Sequence, residues 1–198
     1  MSRATPLPPQ ERRQAIVDAT LPLLLAQGPD LSTREIARAA GVAEGTIFRA
    51  FDTKDEIINA AVDQAMRPTD ALATLAAIPS DQTLDERVAS VLSILLDEIQ
   101  RTRSLLMHLV GVGFRPEPPG HGPGPRGGHH DSRRVLFTAA EEALAPYQDQ
   151  LRVSPTVAAQ LLNALAFASS FHLDHNNPPA DPELMATVAL HGIAEGEK

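Results

Sequence analysis

Apolar residues return at helical spacing along almost the whole chain, and strand-like alternation is nowhere sustained. Between Glu11 and Gln27 the residues Ile16, Thr20, Leu23, Leu24 and Gln27 share one side, which predicts a first long helix. Pro22 should bend it or strip one hydrogen bond, and Gly28-Pro29 should stop it. A short helix follows, capped by Thr33 or Ser32, with Ile36, Ala37 and Ala40 on one face. Gly41 stands where a chain leaving a helix wants a left-handed residue. A second short helix turns Val42, Ile47 and Phe51 inward and Glu44, Thr46 and Arg49 outward. Thr53 and Glu56 form a capping-box pattern before a helix with Ile57, Ile58, Ala61, Val62 and Ala65 as its buried side.

Pro68 breaks that helix, a shorter one is expected from Thr69 to Ile78, and Pro79-Ser80-Asp81 is a turn. Leu84, Val88, Val91, Leu92, Leu95, Leu96 and Ile99 keep helical period from Thr83 towards Gly111, with a break expected near Arg101–Ser104. The Pro/Gly-rich stretch from Arg115 to Asp131 sustains neither helix nor strand and reads as a long mobile loop. Helix resumes from Ser132 to Tyr147 with Val135, Leu136, Ala139, Ala143 and Leu144. Ser154-Pro155 and Asp181-Pro182 each place a cap before a proline at the first helical position, predicting helices over 155–175 and 182–194. The first of these is apolar almost all round. A second copy of the chain, adding the same two helices to a four-helix bundle, is the economical cover for its outer face.

The two short helices around Gly41, crossing closely over small Ala37, have the geometry of a helix-turn-helix, whose second helix enters the DNA major groove. The expected fold is all-α. A three-helix helix-turn-helix domain, including the first turn of the next helix, is expected over residues 1–54, and a second helical domain, carrying the dimer helices, over 55–198.

Composition sharpens this picture in three places. Hydrophobic residues make up 43% of the chain but aromatics only 4%, so the core must be built of Leu, Ala, Ile and Val, which suits helices. There is no cysteine, which excludes disulfides and Cys-ligated zinc and points to a cytoplasmic home. No apolar run is long enough for a membrane span, so no membrane partner is expected. The net charge of −8 at first argues against nucleic acid. Up to Lys54, however, seven basic residues stand against six acidic ones, leaving +1 there and −9 on the remainder.

The detail of residues 31–57 resembles the tetracycline-repressor (TetR) family of bacterial transcription regulators. Thr33, Ile36, Ala37, Gly41, Val42, Gly45, Thr46, Ile47, Phe48, Phe51 and Lys54 carry the resemblance. It implies a homodimer on double-stranded operator DNA, most often a repressor released by a small-molecule effector. An effector held between the middle helices would shift the helix beginning at Lys54. The chain departs from the family pattern at Phe48, usually Tyr, and at Ala50, often His. Both usual side chains resemble phosphate ligands, so those two contacts do not carry over.

Candidate DNA contacts are Thr33, Glu44, Gly45, Thr46, Phe48, Arg49 and Lys54. Thr33 and Thr46 lie near helix N-termini, where N–H groups and the helix dipole favour a phosphate. Arg49 has the fork that matches guanine O6 and N7. Glu44 either accepts from cytosine N4 or is a solvated first-turn acid. Gly45 lets the backbone approach DNA, and Phe48 packs on sugar or a thymine methyl, or else in the core. Lys54 resembles the family's phosphate-clamping lysine. For the effector, whose identity is open, the candidates are Leu95, Met107, His108, Phe114, Phe137, Tyr147, Phe167 and Phe171, each with plain core packing as the alternative. Of the histidines, His121, His129 and His130 lie in the loop, and His172 and His175 share a helix face. That spacing promises no fixed metal geometry, and neither metal nor cofactor is expected. No nucleophile elbow, phosphate loop or dinucleotide fingerprint is present, so no enzyme is expected. The alternative function is an all-helical ligand carrier or enzyme that does not act on DNA.

Overall fold

The first helix starts where two prolines preset the backbone, and from there the described residues, 8–115, 128–170 and 181–193 in a computed structural model, are helical apart from short connections. In chain order the helices are α1 (Pro9–Gln27), α2 (Thr33–Ala39), α3 (Glu44–Ala50), α4 (Lys54–Ala65), α5 (Thr69–Ala76), α6 (Leu84–Gly111), α7 (Gly128–Leu144), α8 (Pro155–Ser170) and α9 (Pro182–Ile193). A 3₁₀ helix, Ala145–Gln150, follows α7. The chain divides into two units, one holding the residues up to Arg67 together with 104–129, the other holding 68–103 and 130–198.

In the first unit, α1 buries Ile16, Val17, Thr20 and Leu24. Thr20 is tolerated there because its hydroxyl donates to the Ile16 carbonyl at 2.7 Å. Leu23 is only half-buried and Gln27 is exposed, contrary to the expected face, because the buried stripe drifts towards Val17. Pro22 stays within the helix on its exposed side. Gly28 ends α1 with φ 76° and ψ −168°, its N–H donating to the Leu24 carbonyl at 2.9 Å. That conformation is open essentially to glycine alone, and a Cβ there would stand 2.3 Å from the Val112 carbonyl oxygen. The core joins α1 to Leu31, Ile36, Ile47, Phe51, Ile57, Ile58, Ala61 and Val62, and to Leu109 and Phe114 at the end of α6.

In the second unit, α5 and the first part of α6 pack with α7, α8 and α9 around Val88, Val91, Leu92, Leu95, Leu144, Ala158, Ala159, Leu162 and Ala166. Thr83 and Glu86 hold the start of α6: the Thr83 N–H and hydroxyl donate to the Glu86 carboxylate, which sits below its ordinary pKa for that reason. The expected break at Arg101–Ser104 is absent, and α6 runs unbroken for 28 residues. Glu98, buried, explains it. Arg101 grips its carboxylate with Nε at 2.9 Å and Nη2 at 2.7 Å, and the Thr102 hydroxyl adds a bond at 3.2 Å. Arg101 and Thr102 are thus satisfied within the helix instead of interrupting it. They lie where α6 passes from one unit to the other.

The segment 116–127 of the expected loop lies outside the described residues, as do 171–175 of the expected α8 and Ala194 of the expected α9. Gly128–Asp131, expected as loop from composition, already belongs to α7. The last proline of that stretch is Pro125, so nothing beyond it bars a helix. Val135 on α7 faces outward, whereas Leu136, Ala140 and Leu144 are buried. Tyr147, in the 3₁₀ helix, donates its hydroxyl to the Gln82 carbonyl at 2.5 Å, and the Arg87 guanidinium lies 5.5 Å over its ring while bonding the Pro79 carbonyl at 2.6 Å. Both expected caps are in place: the Ser154 hydroxyl accepts from the Val157 N–H, and the Asp181 carboxylate from that of Glu183. Opposite its buried Ala158, Ala159, Leu162 and Ala166, α8 exposes Val157, Leu161, Ala164 and Ala168, and α9 exposes Leu184 and Val188. No helix among the described residues is long and apolar enough to cross a membrane.

Gly28 and Gly41, two of the three described glycines with positive φ in the first unit, should respond differently to alanine. Gly41, at φ 66°, has nothing within 4 Å of a Cβ, so Gly41→Ala should cost only the left-handed conformation, about 1–2 kcal/mol. Gly28→Ala adds a collision with backbone and should cost about 3 kcal/mol or more. Urea unfolding midpoints of the two variants, with equal losses as the contrary outcome, check this.

Candidate nucleic-acid interface

The helix-turn-helix is assembled by local bonds. Ser32 caps α2 through a complete capping box: its hydroxyl accepts from the Glu35 N–H at 3.2 Å, and the Glu35 carboxylate accepts from the Ser32 N–H at 2.8 Å. The Ser32 N–H, and the Ser32 hydroxyl donating to the same carboxylate at 2.8 Å, hold the Glu35 carboxyl below its ordinary pKa. At the turn, Gly41 takes its left-handed φ, and the Val42 N–H donates to the Ala37 carbonyl at 3.0 Å, which sets the close crossing. Ile36, Ala37 and Ile47 are buried, and Phe51 is buried just past the end of α3. With about 100° between successive residues, the arc of α3 away from Ile47 holds Glu44, Gly45, Phe48 and Arg49, all exposed.

Each sequence-derived DNA candidate can now be placed. Gly45 has negative φ and open space where a Cβ would stand, so nothing inside the fold asks for glycine there. Phe48 is 60% exposed and stands outside the core, against the core alternative for that ring. Glu44 is within 3.5 Å of the Arg34 guanidinium, a pair exposed enough to contribute little stability. Arg34, in the first turn of α2, is an outward cation that enters the sequence reading only as charge. Thr33 and Thr46 are half-buried at the starts of α2 and α3. Lys54 opens α4 and donates from Nζ to the Pro29 carbonyl at 2.9 Å, and an ammonium has three donors, so two remain.

The residue that sequence reasoning misses is Arg13. From α1 it donates one arm to the Ala50 carbonyl at the end of α3 and the other to Glu56 Oε1 at 2.9 Å, with its guanidinium 3.8 Å over the Phe51 ring. The capping-box pattern pairs Glu56 with Thr53, and half of it forms. The Thr53 hydroxyl does accept from the Glu56 N–H, but the Glu56 carboxylate reaches one residue further back, to the Asp52 N–H at 2.9 Å. Arg13, on the opposite side, supplies the reason. No spacing rule links partners 37 and 43 positions apart.

The effector candidates do not share one place. Met107, His108 and Phe114 belong to the first unit, where Phe114 is buried, Met107 is exposed and His108 Nε2 lies 3.2 Å from the Leu25 carbonyl. Leu95 and Tyr147 are buried in the second unit, Phe137 is half-buried and Phe167 exposed there, and Phe171 lies outside the described residues. An open groove of about 630 Å³ in the second unit is lined by other residues, among them Ile78, Ser90, Ile94, Asp97, Asp181 and Glu183.

Burial tends to raise the Glu56 carboxyl, but the Asp52 N–H and the Arg13 guanidinium outweigh it and hold its pKa below 4.5. A carboxylate depressed on folding stabilises above its unfolded pKa and loses that contribution as pH falls through the folded one. Glu56→Gln should therefore cost about 1 kcal/mol near neutral pH and less in acid, with the two urea midpoints converging as pH falls through the depressed folded-state pKa. A gap that stays constant with pH would show that Glu56 acts by shape alone.

Comparison with known proteins agrees with this geometry. Residues 16–61 match the family model of the bacterial regulatory proteins, tetR family. The uncharacterized HTH-type transcriptional regulator TtgW of a Pseudomonas putida strain is 39% identical over 69 residues, 34% of this chain and 52% of TtgW. The HTH-type transcriptional regulator SrpR of Pseudomonas putida is 38% identical over 69 residues, 34% of this chain and 32% of SrpR. The chain thus spans about half the length of the first relative and a third of the second. Across nearly the whole chain the fold is that of a crystal structure of a putative TetR-family transcriptional regulator from Mesorhizobium loti, at a TM-score of 0.61 and 15% identity, covering 96% of this chain and 100% of that one. A capped and closely crossed helix-turn-helix thus lies inside the residues, 16–61, that match the tetR family of bacterial regulatory proteins.

Proposed function

We propose that the chain is a sequence-specific DNA-binding transcriptional regulator, a homodimeric repressor that a small molecule releases from its operator. The observation that carries this reading is the outward arc of α3, where Gly45, Phe48 and Arg49 face solvent while Ile47 anchors the helix. The DNA-reading part lies within residues 1–54 and the effector-binding and dimerising part within 55–198. Arg49 takes a guanine edge, and the hydroxyls of Thr33 and Thr46 and the ammonium of Lys54 take phosphates. Glu44, tethered to Arg34, is turned to DNA only when that weak pair opens.

Dimerisation is carried by the apolar stripes that α8 and α9 turn outward. Val157, Leu161, Ala164 and Ala168 run along one line of α8, directly opposite the line that packs into its own unit, with Leu184 and Val188 on α9. A helix apolar on two opposite faces needs a second cover, and a twofold copy supplies the same stripes. The effector would enter the second unit, for which the candidates remain Leu95, Phe137, Tyr147 and Phe167 together with the open groove.

Two measurements test the proposal. In titrations on a selected operator and on scrambled duplex at several salt concentrations, Arg49→Ala should lose about 1–3 kcal/mol on the operator and much less on scrambled DNA. Lys54→Ala should weaken both alike and lower the salt slope by about one phosphate per subunit. Equal losses on both duplexes for Arg49→Ala would demote it to a phosphate contact. Leu161→Asp combined with Leu184→Asp should give a folded monomer in sedimentation and abolish tight operator binding. A variant that stays dimeric would remove α8 and α9 as the interface.

A further inference from the structure

The arc of α3 that faces solvent carries an aromatic ring that the fold does not use. Phe48 is 60% exposed, lies outside the hydrophobic core of its unit, and neighbours Arg49 on the same arc. Its two flanks along the helix are Glu44, one turn earlier and held by Arg34, and Gly45, which adds no side chain. The ring therefore stands free at the centre of the surface presented by α3. Phenylalanine has no donor or acceptor, so it gains nothing from a phosphate or from the polar edges of guanine, adenine or cytosine. The apolar group that the major groove displays is the 5-methyl of thymine.

Resting on the DNA-binding reading above, we propose that Phe48 is a specificity-determining residue, packing on the methyl of a thymine next to the guanine read by Arg49. The two side chains leave α3 about 100° apart with a rise of about 1.5 Å between them, which directs them to neighbouring base pairs. The half-site should then contain an adjacent thymine and guanine, one recognised by shape and desolvation, the other by a bidentate hydrogen bond. Both contacts come from one exposed arc, and both partners lie in the same groove.

The experiment uses the full chain. A half-site is first selected from random duplex, and each of its thymines is then replaced in turn by deoxyuridine, which removes only the methyl. One thymine beside the guanine sensitive to Arg49→Ala should lose about fourfold in affinity, the worth of one buried methyl-sized group. Phe48→Ala should bind the thymine and uracil duplexes at that position equally, and 5-methylcytosine placed there should restore part of the wild-type affinity. Phe48 is exposed, so its variant should keep the wild-type melting temperature. A half-site with no methyl-sensitive thymine, or a sensitivity that persists in Phe48→Ala, overturns the inference. So does a Phe48→Ala variant weakened equally on operator and scrambled duplex, since that outcome places the ring on the sugar. Failure to select any sequence would instead overturn the DNA-binding reading itself.

Discussion

The Arg13 guanidinium is the contact on which the placing of α3 depends. A seven-residue helix such as α3 cannot hold its own direction, because nucleation consumes most of what so few hydrogen bonds return. Its N-terminus is not capped by a side chain either. What fixes it is Ile47 and Phe51 in the core, and Arg13 at its C-terminal end, bonded to the Ala50 carbonyl and stacked on Phe51. The same guanidinium grips Glu56 in the first turn of α4. One side chain from α1 therefore sets α3 against α4. The Arg13 cation is engaged by Ala50 and Glu56, while Arg34 and Arg49 stand exposed on α2 and α3.

The second unit is held by other means. Its core is mainly aliphatic, and polar side chains at its margin tie helices together. Arg103 donates to the Ser170 carbonyl at the end of α8, whose hydroxyl bonds Ala166, and Thr156 reaches Glu141 at 2.5 Å between α8 and α7. Alanine at positions 158, 159 and 166 lets α8 sit close to its neighbours. Such close fitting leaves little to fill with a large side chain, which is why aromatic residues are a poor guide to a cavity here.

What the sequence discloses follows from range. Ser32, Gly41, Ser154-Pro155 and Asp181-Pro182 act on backbone groups within a few residues, and the helix ends they mark are legible. The helix-turn-helix is legible for the same reason. The break expected at Arg101–Ser104 fails because polarity is not interruption when Glu98 stands one turn earlier to bind Arg101 and Thr102. Period alone puts Gln27 and Val135 on buried faces, and a stripe that drifts by one position leaves such residues outside. Arg13 is invisible because its partners are distant in sequence and its type gives no hint of an inward role. The exposed state of Phe48 is equally hidden, since an aromatic beside Ile47 suits either face.

The chain has one tyrosine and no tryptophan, and that tyrosine is buried in the second unit with its hydroxyl on the Gln82 carbonyl and Arg87 above its ring. Intrinsic emission excited above the phenylalanine band therefore comes from a single address. It watches the turn before α6 and the 3₁₀ helix after α7, and it is blind to the reading helix. A change in its intensity on adding a compound is a signal from the second unit, obtained without a label. With no cysteine in the chain, a dye attached at one introduced thiol on α3 would supply the other channel. The two units can thus be followed separately, by colour, in one cuvette.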